Sequence, residues 1–372
     1  MDVVGKKRDI SKRRKKEGIY MTYARKAVSR LLRVIALVIN NRRRYQPVKG
    51  FKKYYLLAKG FMNESTVLYQ LTLANYRDYL SDTQIMKTST INQEAAYYLN
   101  DKIAFVELLE DKIKMPKTFA TINKGRIEAR SDEFTSVESL LAYLKQNTPL
   151  KIVIKPIAGA EGRGVSIIKW AQGQLWLNKQ AISESTFIKY LETLDDYFVS
   201  EFIQQGQFSQ QLFPQSLNTI RMLTLIDPVT ETAILAVSVY RVGTQRSAPT
   251  DNFRRHGLSV AIDPKSGELG QAAILPQDGQ VAWLTKHPDT QQVITGLTVP
   301  NWPQVKKQLL EVAEYVYQSK QIKYVGWDIV ILDEGLNLLE GNSRPGVSLH
   351  QVHQPLLKAP RVKAFYQYHK II

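Results

Sequence analysis

The sequence predicts an α+β protein: two α+β units, near residues 100–200 and 200–350, behind a helical preface and a basic N-terminal arm. Three observations lead there. Strand-like and helical runs alternate after Pro116. The pattern turns strand-rich from Tyr197. Two strand pairs close across turn-forming residues, Asp227-Pro228-Val229 and Asp333-Glu334-Gly335. The expected boundaries are an arm over 1–50, a helical region over 51–115, the two units over 116–200 and 201–350, and a tail over 351–372.

The arm stands out by charge. Residues 1–60 hold 19 Lys and Arg against 3 Asp and Glu, whereas the remaining 312 hold 32 against 31, so the net +17 belongs almost wholly to the arm. A near-neutral body argues against a nucleic-acid-binding core. The arm suits an anionic partner, such as a membrane surface or an acidic glycan. Residues 1–18 read as disordered by composition. Over 22–40 an amphipathic helix is expected, with Val28, Leu31, Leu32, Ile35 and Ile39 on one face and Lys26, Arg30 and Arg33 on another. Such a helix can lie on an anionic bilayer or dock on its own domain. The longest apolar run in the arm, 34–39, is far short of the roughly 20 residues of a spanning helix. No small-residue cleavage site follows it, so the expected location is cytoplasmic, peripheral at the inner membrane face. The chain has no cysteine, which excludes disulfides, thiolate metal sites and cysteine nucleophiles.

Residues 51–112 read as helical and tyrosine-rich, with the tyrosines as packing residues. Next come a strand over 117–121, a helix over 135–146 with Thr135 and Glu138 spaced as a capping box, and strands over 151–155, 165–170 and 175–177. A helix over 183–194 and a strand over 197–203 complete this half. The second half offers strands over 219–226, 232–240 and 258–262, a helix over 304–319, and a last hairpin of 324–332 with 336–340.

Chemistry concentrates in two runs. The last hairpin reads WDIVILDEGLNLLEGNSRPG. Counting outward from its turn brings Asp328 beside Glu340, and Asn342, two residues on, shares that face. Two carboxylates and an amide oxygen on one spot repel unless a cation lies between them, and hard oxygen donors suit magnesium. The alternative is a pair of solvated surface acids. The other run is KIVIKPIAGAEGRGVSIIKW, where a strand delivers Lys155 and Gly159, Gly162 and Gly164 allow a loop whose amides can face phosphate oxygens. Its lysine precedes the glycines, so it is not a P-loop, and a flexible hairpin would read the same way.

In this order and separation the two runs resemble the ATP-grasp superfamily, closest to its sugar-transfer-associated group, which is itself similar to the glutamate-ligase type. The likeness extends from about Tyr79 to Val347. It implies two α+β subdomains clasping ATP. Lys102, in Asn100-Asp101-Lys102, and Lys155 would hold the nucleotide. The loop Gly159-Ala160-Glu161-Gly162-Arg163-Gly164 would cover the phosphates. Val199-Ser200-Glu201-Phe202-Ile203 resembles the hinge, so Glu201, Phe202 and Ile203 would meet adenine. Arg221 and Arg241 would stabilise the transferring phosphoryl group alongside Lys155, or serve as structural salt bridges. Asp328, Glu340 and Asn342 fall on the family's ligands for magnesium, two ions, with manganese as a substitute. The family often carries a second glycine where this chain has His256. His350 and His353 stand close behind the metal run and read as surface residues unless catalytic.

The resemblance implies ATP-dependent ligation of a carboxylate to an amine through an acyl phosphate, in surface polysaccharide biosynthesis or modification. Kinase transfer to a sugar hydroxyl would use the same pocket. A nucleotide-dependent, membrane-associated scaffold is the alternative from another class.

Overall fold

The computed structural model describes residues 48–159, 164–275 and 280–372. The basic arm up to residue 47, the helix expected over 22–40, and Gly162 and Arg163 of the glycine loop lie outside the described residues.

The chain divides into two compact units. The smaller takes Met1–Tyr76 and Ser81–Thr83. Its helices Gly50–Ala58 and Asn63–Leu68 are short. The Asp82 carboxylate accepts from the Met62 amide at 2.7 Å and the Ser65 hydroxyl at 2.8 Å, fixing the second helix's start. Tyr69 and Tyr76 are buried as packing residues, whereas Tyr54 is exposed.

The larger unit, Arg77–Leu80 with Gln84–Ile372, holds two antiparallel seven-stranded sheets. The first contains β1 (Thr118–Asn123), β2 (Arg126–Ala129), β3 (Lys151–Pro156), β4 (Ser166–Ala171), β5 (Gln174–Leu177), β6 (Gln180–Ile182) and β7 (Tyr197–Glu201). Their order is β2-β1-β7-β3-β4-β5-β6. Strand β3 alternates buried and part-exposed residues, which marks a sheet with one packed face. That face carries Ile152, Ile154, Ile168 and Val199. Helices Val137–Gln146 and Glu184–Glu192 cover it through Leu140, Leu144, Phe187 and Leu191. The first of these helices is capped one residue later than its spacing suggests: Ser136 pairs reciprocally with Ser139, and Thr135 is not the cap.

The second sheet contains β8 (Thr219–Ile226), β9 (Ala233–Val242), β10 (Leu258–Ile262), β11 (Leu269–Ile274), β12 (Ala282–Leu284), β13 (Tyr324–Ile331) and β14 (Leu336–Asn342), ordered β12-β11-β10-β9-β8-β13-β14. Both faces are covered. Helix Trp302–Lys320 packs Leu309, Val312 and Val316 against a layer with Ile220, Met222, Trp327 and Ile329. On the other face Phe365 and Tyr366, from helix Pro360–Tyr368, join Leu223, Leu225 and Tyr324. Residues 351–372, read as a tail, thus include a helix that closes one face of this sheet. Strands β8 and β13 are buried end to end, which explains their unbroken apolar runs. Among the described residues no helix is long and apolar enough to cross a membrane.

Candidate active site between the two sheets

The site is built on a row across the second sheet. The register of β8 with β13 puts Arg221 opposite Asp328, and that of β13 with β14 puts Glu340 opposite Asp328. The second pairing depends on a bulge. Ile331 pairs with Leu336, and continuing that register would place Leu339 opposite Asp328. A shift between Asp328 and Ile329 inserts one residue on the β14 side and brings Glu340 round instead. Asn342 follows on the same strand, donating its Nδ2 to the Gly326 carbonyl at 3.2 Å and to Glu340 Oε1 at 3.3 Å. The three predicted metal-ligating residues therefore converge.

Asp328 is already occupied by arginine. Arg221 grips its carboxylate with two parallel bonds, from Nε to Oδ1 and from Nη2 to Oδ2 at 2.7 Å. Arg241 adds a third from Nη1 to Oδ2 at 3.1 Å, and its Nη2 reaches Asp251 at 2.5 Å. Asp251 is held in turn by the Thr219 amide and hydroxyl. The salt-bridge reading of both arginines is thus met geometrically. The cations that relieve carboxylate repulsion here are guanidinium groups. Burial pushes Asp328 up, but Arg221 and Arg241 outweigh it and hold the carboxyl at about 2. Glu340 goes the other way: burial raises its pKa, and the neighbouring Asp328 charge raises it further.

This chemistry fits a divalent cation. A carboxylate offers about four lone-pair sites, and Asp328 spends three on arginine, so Glu340 and the Asn342 amide oxygen carry most of the free donor capacity. Among the described residues no three His, Cys, Asp or Glu side chains form a ligand set. Two carboxylates and an amide would leave magnesium positions for water and phosphate oxygens.

The first sheet supplies the opposite wall. Lys155 is the penultimate residue of β3, its ammonium 4.8 Å from the centroid of the Phe198 ring. Burial pulls its pKa down to about 8, with Glu340 opposing and Lys102 assisting. Lys102 opens the helix Lys102–Leu109, which Asp101 caps by accepting from Ile103 N and Ala104 N at 3.0 and 2.9 Å. Its Nζ donates to the Ile157 and Gly159 carbonyls at 3.2 and 3.0 Å, tying down the near end of the glycine loop. Gly164, at the far end, has φ +73, and a Cβ there would lie 2.9 Å from the Tyr197 hydroxyl.

Lys102, Lys155, Gly159, Arg221, Arg241, Asp328, Glu340 and Asn342 all line one cavity of about 470 Å³, to which Asp251, Arg254 and Arg344 also contribute. Another cavity of about 460 Å³ lies by Lys112, Tyr315 and Glu334, where Lys112 rests over the Tyr315 ring. It gathers none of these groups. The hinge residues Glu201, Phe202 and Ile203 line neither. Glu201 accepts from the Lys117 amide at 3.3 Å, Phe202 lies under Lys151, and Ile203 is buried. Beside them a slot of only about 10 Å³ runs between Met115, Phe198 and Leu339. Thr118 and Ser200 line it, and their hydroxyls are buried with no hydrogen-bond partner among the described residues. Sequence reasoning missed both, although Ser200 stands inside the hinge motif. It also gave no role to Asp251, whose partner Arg241 lies on a separate strand.

His350 is not a surface residue, and His353 is half-buried. His350 is fully buried, donates to the Arg221 carbonyl at 3.3 Å and has its pKa lowered by burial to about 3. His353 pairs with the Ser259 hydroxyl at 3.0 Å. His256, in place of a glycine, adopts φ +69, a left-handed conformation that glycine takes freely and histidine tolerates.

Residues 84–365 match the sugar-transfer associated ATP-grasp family. No curated protein sequence matches the chain. Similar solved structures include the ATP-grasp ligase PsnB complexed with a variant of its minimal precursor, Mg and ADP, at 13% identity over 68% of this chain, with a TM-score of 0.33. That match spans 52% of PsnB, about half its length. The RimK domain protein ATP-grasp from Sphaerobacter thermophilus is 11% identical over 74% of this chain and 69% of its own, with a TM-score of 0.37. D-Alanine-D-alanine ligase from Helicobacter pylori is 12% identical over 77% and 67%, with a TM-score of 0.40.

Proposed function

Since this chain belongs to the sugar-transfer associated ATP-grasp family, we propose that it is an ATP-dependent carboxylate–amine ligase that works through an acyl phosphate. One observation carries the reading: a single cavity has lysines on one wall and an arginine-clamped carboxylate cluster on the other. Lys155 faces the phosphates of ATP, while Lys102 holds the base of the glycine loop over them. Arg221 and Arg241 meet charge as it develops on the transferring phosphoryl group. Asp328 and Asp251 fix both guanidinium groups in advance, so they need no reorganisation during the reaction. Glu340, Asn342 and Asp328 would hold magnesium. Bound there, magnesium neutralises phosphate charge that would repel an incoming nucleophile. Thr118, Ser200 and the backbone of Glu201–Ile203 border the side on which the nucleobase enters. The chemistry needs no nucleophilic side chain, in keeping with a chain that has no cysteine.

The family's link to sugar transfer supports a substrate in surface polysaccharide biosynthesis, such as a uronic acid amidated by an amino acid. The basic arm would then contact an anionic lipid surface or an acidic glycan, holding the enzyme at the inner membrane face. Removing residues 1–45 should reduce recovery with anionic vesicles and leave ADP formation on small substrates intact.

The main test is ADP release from MgATP across a panel of acids and amines, with hydroxylamine as trap. Ligation requires release to depend on a carboxylate and a hydroxamate to accumulate. Release driven by a hydroxyl compound, with nothing trapped, would replace this reading with a kinase.

A further inference from the structure

The basic arm leads straight into a helix of the smaller unit whose outer face is aromatic. Helix Gly50–Ala58 is anchored by Leu56, which is fully buried. Tyr55 anchors it too, its ring edge-on to Tyr76 and the two hydroxyls 3.2 Å apart. Residues spaced by three, four or seven share one face of a helix. Phe51, Tyr54 and Ala58 are so spaced, and all three are exposed. Phe51 is 72% exposed and Tyr54 67%, the most exposed phenylalanine and tyrosine among the described residues. Rings left in water to this extent contribute little to the stability of the unit that carries them.

Charge follows the same helix. Residues 48–62 hold four lysines and no acid. Lys52 and Lys59, seven apart, border the aromatic face, and the Lys53 ammonium lies 5.8 Å from the centroid of the Tyr54 ring. The arm before it adds 15 Lys and Arg against 3 Asp and Glu over residues 1–47. Like charge on both segments argues against the arm as the cover of this face. An acidic glycan would answer the lysines but leave Phe51 in water. A bilayer with anionic headgroups answers both. Aromatic rings settle between headgroups and hydrocarbon, and lysine stems reach back from there to the lipid phosphates.

We propose that helix Gly50–Ala58 is a membrane-docking surface, lying flat on an anionic bilayer with Phe51 and Tyr54 inserted and Lys52 and Lys59 at the headgroups. This rests on the reading that this end of the chain meets an anionic lipid surface, and it names the residues that enter it.

The test uses the full-length chain and a unique label, since a chain without cysteine accepts a single one. Tyr54→Cys carrying a polarity-sensitive fluorophore should shift to the blue on vesicles of phosphatidylcholine mixed with phosphatidylglycerol. It should not shift on phosphatidylcholine alone or with heparin. The same label at Val229→Cys, a position 87% exposed on the larger unit, should stay unshifted throughout. Sedimentation with the mixed vesicles reads affinity. Phe51→Ser with Tyr54→Ser should weaken it about tenfold or more, the scale of burying one such ring. Lys52→Gln with Lys59→Gln should weaken it about tenfold. An unshifted label at position 54, an equal shift with heparin, or a serine pair that sediments like wild type overturns the proposal. So does a label already blue without lipid that turns red when residues 1–45 are removed, because the arm then covers the face. A serine pair whose only effect is to dissolve a dimer puts a second copy there instead of lipid, and overturns it as well. The arm is read separately. If removing residues 1–45 abolishes binding and the serine pair changes nothing, the arm reading stands and the helix falls; a wild-type chain that ignores the mixed vesicles sinks both.

Discussion

The two sheets of the larger unit meet the same cavity with opposite electrostatic strategies. The second sheet brings charges that are neutralised before anything binds: Asp328 lies between Arg221 and Arg241, on strands packed on both faces. The first sheet brings Lys155, whose ammonium lies over an aromatic ring and whose pKa is lowered by burial. The lesson is a division of labour. Paired charges on a doubly covered sheet hold geometry, while a cation on a sheet with one packed face is left able to respond to an anion.

Asp328→Asn should break this comparison hardest. It strands two arginines without their shared carboxylate, and removing one partner of a buried pair costs about 3–5 kcal/mol. Urea unfolding should show that loss, and ADP release should cease. A variant that stays within about 1 kcal/mol of wild type would mean the pair is no more than a surface contact. Gly326→Ala comes next. Its new methyl would press on Pro345 and approach the Arg221 side chain at 3.3 Å, for an expected loss of about 1–3 kcal/mol by the same measurement.

Arg361→Ala gives the contrast, on the helix Pro360–Tyr368 that covers the second sheet. Arg361 pairs with Asp227 at 2.8 Å, but its side chain is 58% exposed, so the loss should stay below about 1 kcal/mol.

Lys155→Met should raise stability near neutral pH, where wild type keeps a charged ammonium in a site that burial makes unfavourable for it. Its signature lies in the alkaline range. The folded chain holds Lys155 at about 8 against an ordinary 10.5, so between those values the unfolded chain binds more protons. Stability from this group therefore rises with pH across that window, and the Met variant should lack the rise. Nucleotide binding favours the charged form, so wild-type affinity for MgATP should weaken as pH climbs past 8, and the variant's should not. Titrations at several pH values read both effects.

Much of this was legible along the chain. Strand-like apolar runs revealed β3, β4, β8 and β13. The motif order pointed to the family. Short or amphipathic pieces without strong periodicity were not legible, namely β2, β6, β11, β12 and helix Pro360–Tyr368. Their identity comes from the neighbours they pair with or cover. The residues Thr118, Ser200 and Asp251 escaped for a related reason. A hydroxyl or carboxylate gains meaning only from what faces it across the fold.

Glu340 shows where the boundary lies. The sequence alone determined that an acid-rich hairpin would follow a glycine loop and a lysine strand, because turn residues and apolar runs are local properties. It also supplied the pairing of Asp328 with Glu340, but by counting evenly from a turn that is in fact one residue longer. Only the tertiary structure decided the bulge that restores the pairing, and the two arginines that claim Asp328. The arginines that claim Asp328 lie 107 and 87 residues from it in the chain, and no local pattern encodes such cross-strand pairing.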